Sequence, residues 1–171
     1  MTITYTLNGV DAGAVAALTD TIAGDPEQGR TVWKTEVAWN GAFRSEARVR
    51  DFAPVPSDEP ILLGGSDTAS NPVEQLLGAL GNCLAVGVAA NATARNVRID
   101  RLRICLEGDL DLRVFLGLAG GHAGFDAIRA RVDIETDADP AVVEELLERV
   151  AATSPVGHTL SNQVPVTVTR A

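Results

Sequence analysis

The segment from Pro72 to about Arg95 constrains this chain more than any other. Asn71 is a good helix N-cap, Pro72 suits the first helical position and Glu74 falls at the third, a capping-box arrangement. Beyond it, LLGALGNCLAVGVAANATA is apolar nearly all round. A helix without a polar face is a buried helix. About 23 residues give a length of roughly 35 Å, enough to run through a whole domain. Gly78, Gly81 and Gly87 weaken the helix locally but permit close approach of other backbone. A single sheet covers one side of such a helix, and the other side needs a cover. A second copy of the chain is the simplest one.

The flanking segments supply the sheet. Residues 2–7 alternate Thr with apolar residues, as an edge strand does, and Asp11 to Ala23 reads as a weakly amphipathic helix. In Thr31–Trp39, Trp33, Val37 and Trp39 share a face. Asn40-Gly41 is a hairpin signal, and Ala42–Phe52 follows with Arg44, Arg48 and Arg50 on one alternating face. Pro54 to Pro60 reads as a loop. After the central helix, Val97–Leu110 and Ala127–Thr136 each alternate apolar and charged residues, the pattern of sheet with one buried face. Asp139-Pro140 starts an amphipathic helix carrying Val143, Leu146, Leu147, Val150 and Ala151, which stops near Ser154-Pro155. Val164–Thr169 is expected to close the chain as a strand. The order predicts an α+β fold, with helices packed on antiparallel-rich sheet.

Composition narrows the function classes. At 171 residues with 46% hydrophobic and 22% charged residues, the chain buries a core without disulfides or metal. A net charge of −9 disfavours nucleic acid and anionic membrane surfaces as partners. No basic, apolar leader opens the sequence and no run of about 20 uncharged apolar residues occurs, so a cytoplasmic protein is expected. A zinc site would need Cys83, Cys105, His122 and His158 together, every Cys and His in the chain, so no metal and no other cofactor is expected. Gly78-Ala-Leu-Gly81 formally matches an RNA-binding GxxG loop, but it lies inside an apolar helix of an acidic chain.

Gly64-Gly65 followed by NPVEQLLGALGNC (71–83) resembles the central helix of the OsmC/Ohr family. GDLD (108–111), SPVGHTL (154–160) and Val164-Pro165-Val166 match the family's downstream pattern. The resemblance covers roughly residues 30–170. Residues 1–29 are therefore expected to be an N-terminal extension packed on a single OsmC-like domain spanning 30–171. It implies an intertwined homodimer with the central helices at the shared core. It also implies reduction of organic hydroperoxides by a peroxidatic cysteine, which falls on Cys83. An arginine stabilises the thiolate and a glutamate orients that arginine. WNGAFR (39–44) resembles the family's first hairpin, so Arg44 takes the first role, with Arg48 and Arg50 as fallbacks, and Glu74 takes the second. The implied pocket is apolar and lies at the dimer interface.

Two features pull against this assignment. Glu74 also fits a purely capping role, and nine residues of helix turn it to the side opposite Cys83. The family's second cysteine, which forms a disulfide reduced by lipoyl-type dithiols, stands in a Cys-Pro-Val segment. Here that segment is Ser154-Pro155-Val156, and serine forms no disulfide. Cys105 is a poor substitute because it lies on a strand of the following hairpin. A one-cysteine cycle resolved by an external thiol remains chemically open. So does a non-catalytic dimer of the same fold that binds a small apolar ligand or senses thiol redox state. His158, four residues after Ser154, invites a Ser–His hydrolytic pair or an imidazolium partner for Cys83, but no nucleophile elbow accompanies it.

Overall fold

A computed structural model describes residues 6–170. The described residues form two compact units: Gly13–Leu76, and residues 6–12 together with 77–170.

The Gly13–Leu76 unit contains most of α1 (Ala12–Gly24), which leaves Val15 and Leu18 exposed. Asp25 then caps a short 3-10 turn. Strands β1 (Glu36–Trp39), β2 (Ser45–Arg48) and β3 (Val55–Ser57) form an antiparallel sheet in the order β1-β2-β3. The Asn40-Gly41 signal marks a real hairpin. The Asn40 N–H donates to the Arg44 carbonyl at 2.8 Å, and Gly41 and Ala42 take left-handed φ of 92° and 51°.

Three expectations need correction here. The strand expected from Thr31 begins at Glu36, and the one expected over Ala42–Phe52 is four residues long. Arg50, at φ 50°, turns the chain out of the ladder. Arg44, Arg48 and Arg50 therefore do not line one strand face. The expected loop Pro54–Pro60 contains β3, with Pro56 opposite Glu46 on an edge strand, where proline is tolerated.

Immediately after β3, the Asp58 carboxylate is buried and gathers its own loop. It accepts the N–H of Glu59 at 2.9 Å, of Ser66 at 3.1 Å and of Thr68 at 3.2 Å, plus the Thr68 hydroxyl at 2.8 Å. Burial pushes this carboxyl up, but the bonds from Thr68, Glu59 and Ser66 outweigh it and hold it below its ordinary value.

Helix α2 (Pro72–Ala94) has the predicted start. The Asn71 side-chain oxygen accepts the Glu74 N–H, and the Glu74 carboxylate accepts the Asn71 N–H, both at 2.9 Å. Its other end is a Schellman motif with Asn96 in the left-handed position at φ 55°. Val97 N–H reaches the Ala92 carbonyl at 2.8 Å, and Asn96 N–H reaches Thr93 at 3.1 Å.

In the second unit β4 (Arg101–Leu110), α3 (Leu112–Phe115), β5 (Phe125–Glu135), α4 (Pro140–Thr153) and α5 (Pro155–Ser161) follow α2. Strands β4 and β5 pair antiparallel, with Leu102↔Ile134 and Ile104↔Val132 on the apolar face and Arg103↔Asp133 and Cys105↔Arg131 on the charged one. The core joins Val88 and Ala92 of α2, Val97, and Leu146 and Val150 of α4. Gly81 and Gly87 allow this closeness. A Cβ there would stand 2.8 Å from Leu106 and from Val150 respectively, whereas one at Gly78 would meet nothing within 4 Å. By length and a mean hydropathy of 1.5, α2 is apolar enough to cross a membrane. Its packing against Leu106 and Val150 makes it the core helix of a folded unit. Yet Val86 on α2 is 70% exposed, so one chain does not cover the helix all round.

Asn8 ties the N-terminal residues to this unit. Its side chain donates to the Thr93 hydroxyl at 3.1 Å and the Val97 carbonyl at 2.9 Å, and accepts the Ile99 N–H at 2.9 Å. Most of the strand expected over 2–7 lies outside the described residues. Thr6 is extended and Leu7–Gly9 form a 3-10 turn. The closing strand expected over Val164–Thr169 is absent among the described residues. That segment pairs with no strand among the described residues, and Val166 and Val168 are 84% and 91% exposed.

Candidate functional site

Cys83 lies in the middle of α2, half-buried, with a free thiol. Its sulfur is 3.2 Å from the hydroxyl oxygen of Ser154. Ser154 ends α4, caps α5 and is 4% exposed. Its hydroxyl oxygen accepts the Gly157 N–H at 3.0 Å. Serine followed by proline is a helix-start signal, and it marks α5, a helix additional to those expected from the periodicity. The position where the family's second cysteine is replaced by serine is the one in contact with Cys83.

Neither histidine joins this pair. The Nε2 of His158 stands 2.9 Å from the Ala152 carbonyl, which only accepts, so that nitrogen carries the proton. The polar partners of Ser154 are Gly157 and Cys83, and a Ser–His pair is not formed. Cys105, the other free thiol, sits on the charged face of β4 opposite Arg131.

Arg44 is exposed at the end of the β1–β2 turn. It lines a recess of about 300 Å³ with Asn40, Ser45, Glu46, Pro56, Ser57, Thr68 and Ala69. Arg48 is bound to the Glu46 carboxylate, and the Arg50 guanidinium stands 4.6 Å over the Phe52 ring. One oxygen of Glu74 is taken by the capping box. Beside α2, Gly78, Gly81, Asn82 and Ala85 form a second recess, of about 280 Å³, with Leu102, Ile104 and Leu106. Cys83 does not line it.

Arg101 and Arg129 of the β4–β5 hairpin serve ion pairs. Arg129 meets Glu107 at 2.8 Å and Asp109 at 2.5 Å, and Arg101 meets Glu135 at 2.6 Å. The Arg129 guanidinium holds the Asp109 carboxyl below its ordinary value. No cluster of three or more metal-ligating side chains occurs among the described residues.

Solved structures with this architecture are numerous. An OsmC-like protein of Mycoplasma pneumoniae aligns with a TM-score of 0.67 at 18% identity, over 77% of this chain and 88% of its own. A putative osmotic stress induced and detoxification response protein of Psychrobacter arcticus gives 0.64 at 14%, over 76% and 89%. An organic hydroperoxide resistance protein OsmC of Legionella pneumophila gives 0.60 at 16%, over 77% and 91%. No curated protein matches the sequence. The model of the family described as OsmC-like protein matches residues 64–169, which contain Cys83, Ser154 and the whole of α2. The α+β architecture is the OsmC fold, and the chain belongs to the OsmC-like family.

Proposed function

We propose that the chain reduces organic hydroperoxides through Cys83 as its single peroxidatic cysteine. The observation that carries this reading is the placement of Cys83. A half-buried free thiol stands mid-helix in an OsmC-like chain, with a polar hydroxyl rather than apolar atoms alone against its sulfur. The thiolate is the nucleophile. It attacks the distal peroxide oxygen, the S–O bond forms as the O–O bond breaks, and the alkoxide takes a proton to leave as alcohol. Cys83 is then a sulfenic acid. Two equivalents of an external thiol return it to thiol, with release of water and a disulfide between the reductant sulfurs.

In this reading Arg44 stabilises the thiolate and the leaving oxygen, and Glu74 orients Arg44. The assignments rest on the likeness of residues 39–44 and 71–83 to the family. Arg48 and Arg50 are engaged by Glu46 and Phe52. Glu74 keeps a second carboxylate oxygen beyond the one used for capping. The working unit is a homodimer, supported by the exposure of Val86 on an otherwise apolar helix. A single mass of one chain in light scattering at working concentration contradicts that. An organic peroxide is the substrate in this reading, a choice supported by the likeness to the Legionella organic hydroperoxide resistance protein.

The test is turnover of cumene hydroperoxide with dithiothreitol as reductant. Cys83→Ser is expected to abolish it, and Arg44→Met to lower it by about a hundredfold, the scale for removing one charge-stabilising donor. Full turnover by the Cys83→Ser protein overturns the reading. An unreactive Cys83 with a small apolar molecule co-purifying would favour a binding dimer instead.

A further inference from the structure

We propose that Ser154 is a positioning residue for Cys83, its hydroxyl donating a hydrogen bond to the sulfur. The proposal rests on Cys83 being the reacting sulfur, but its test is independent of any peroxide.

A serine hydroxyl has one hydrogen to give and two lone pairs. One lone pair accepts the Gly157 N–H, at 3.0 Å. That bond fixes the oxygen at the start of α5. Glycine at 157 leaves room for it, since a Cβ there would lie a tight 3.1 Å from the Ser154 Cβ and Oγ. The hydroxyl hydrogen still needs a partner, and at 4% exposure Ser154 does not turn to bulk water for it. Leaving a buried donor unpaired is costly. The Cys83 sulfur at 3.2 Å is the remaining partner. Once Cys83 is ionised it has no hydrogen to donate, so the direction is settled: Ser154 gives and the thiolate accepts. The α5 cap therefore does two things at once. It ends one helix and starts the next, and it sets a donor against the sulfur in the middle of α2.

A second sulfur at 154 would close a disulfide with Cys83, but a hydroxyl does not. Ser154 supports the thiolate and leaves the oxidised cysteine for an outside thiol.

The experiment is the pH profile of Cys83 alkylation by iodoacetamide, followed by peptide mass mapping of the full-length protein. Ser154→Ala removes both the hydroxyl and the cap. Ser154→Gly removes the hydroxyl but keeps nearly all of the capping preference. Both variants are expected to alkylate about tenfold more slowly at neutral pH, with the profile moved to higher pH, the scale of one hydrogen bond to a charged group. Profiles unchanged in both overturn the proposal. A change in the alanine variant alone also overturns it, because capping would then explain everything. Ser154→Cys gives a second check that tolerates a weakened cap: diamide should join Cys83 to the new sulfur. Failure to form that bond contradicts the contact itself. None of these outcomes depends on peroxide turnover, so the failure of either reading is seen separately.

Discussion

Leu146 and Asp58 are equally buried, at 1% exposure each, yet they organise their surroundings by opposite physics. Leu146 sits among Val88, Ala92, Val97 and Val150, where removal of apolar area from water holds α2 and α4 together. Asp58 sits among the N–H groups of Glu59, Ser66 and Thr68 and holds its loop with a carboxylate. The Gly13–Leu76 unit contains no member of the buried apolar cluster, and Trp33, Trp39 and Phe52 within it stay 85%, 75% and 63% exposed. The lesson is that Cys83 is carried by the unit with the dry core. The unit carrying Arg44 relies on a polar knot and a short sheet.

Breaking the dry core should have the largest effect. Leu146→Ala is expected to cost about 2–5 kcal/mol, read as a lower urea midpoint in far-UV circular dichroism. A loss under about 1 kcal/mol would mean that the helices are held by something other than this cluster.

The polar knot comes next, and pH separates it from the core. The Asp58 carboxyl lies below the ordinary value of 3.8 in the folded chain. Its contribution is therefore present above the unfolded value and is lost as pH falls through the lower folded one. Both tryptophans of the chain, Trp33 and Trp39, lie in the same unit as Asp58, so their fluorescence reports that unit. The stability read from urea unfolding by fluorescence should fall on acidification below 3.8, and Asp58→Asn should remove much of that dependence. Equal acid sensitivity in the variant contradicts the assignment.

The smallest effect belongs to the charged face of the hairpin. Arg129 pairs with Glu107 and Asp109 but is half in water, where such pairs contribute little. Arg129→Ala should leave the urea midpoint within error, and a clear drop would show that the network does more than solvate the face.

Legibility in the sequence followed the same divide. Helix α2 and its capping box were readable because Asn71, Pro72 and Glu74 act on their nearest neighbours. The α4 stripe and the β4–β5 alternation were readable because one face of each meets the core. The polar knot was not, because Asp58 acts on residues 8 and 10 positions away, and no local pattern announces such a bond. Two prolines hid β3, and the left-handed turn at Arg50 cut short a strand that alternation alone extends. The Val164–Thr169 run has strand composition but finds no partner strand among the described residues. At the site, Cys83 stood out from its helix, while the importance of Ser154 lay in a contact 71 residues away.

The central claim is that Cys83 is a reacting sulfur, and trapping its oxidised form tests it most directly. One equivalent of cumene hydroperoxide is added to the reduced protein, then dimedone, with hydrogen peroxide in parallel, and the adduct is mapped by mass spectrometry. The account predicts a dimedone adduct on Cys83 that forms faster with the organic peroxide and accumulates when reductant is withheld, since Ser154 cannot capture the sulfur. A Cys83 that stays reduced, or an adduct confined to Cys105, would contradict it.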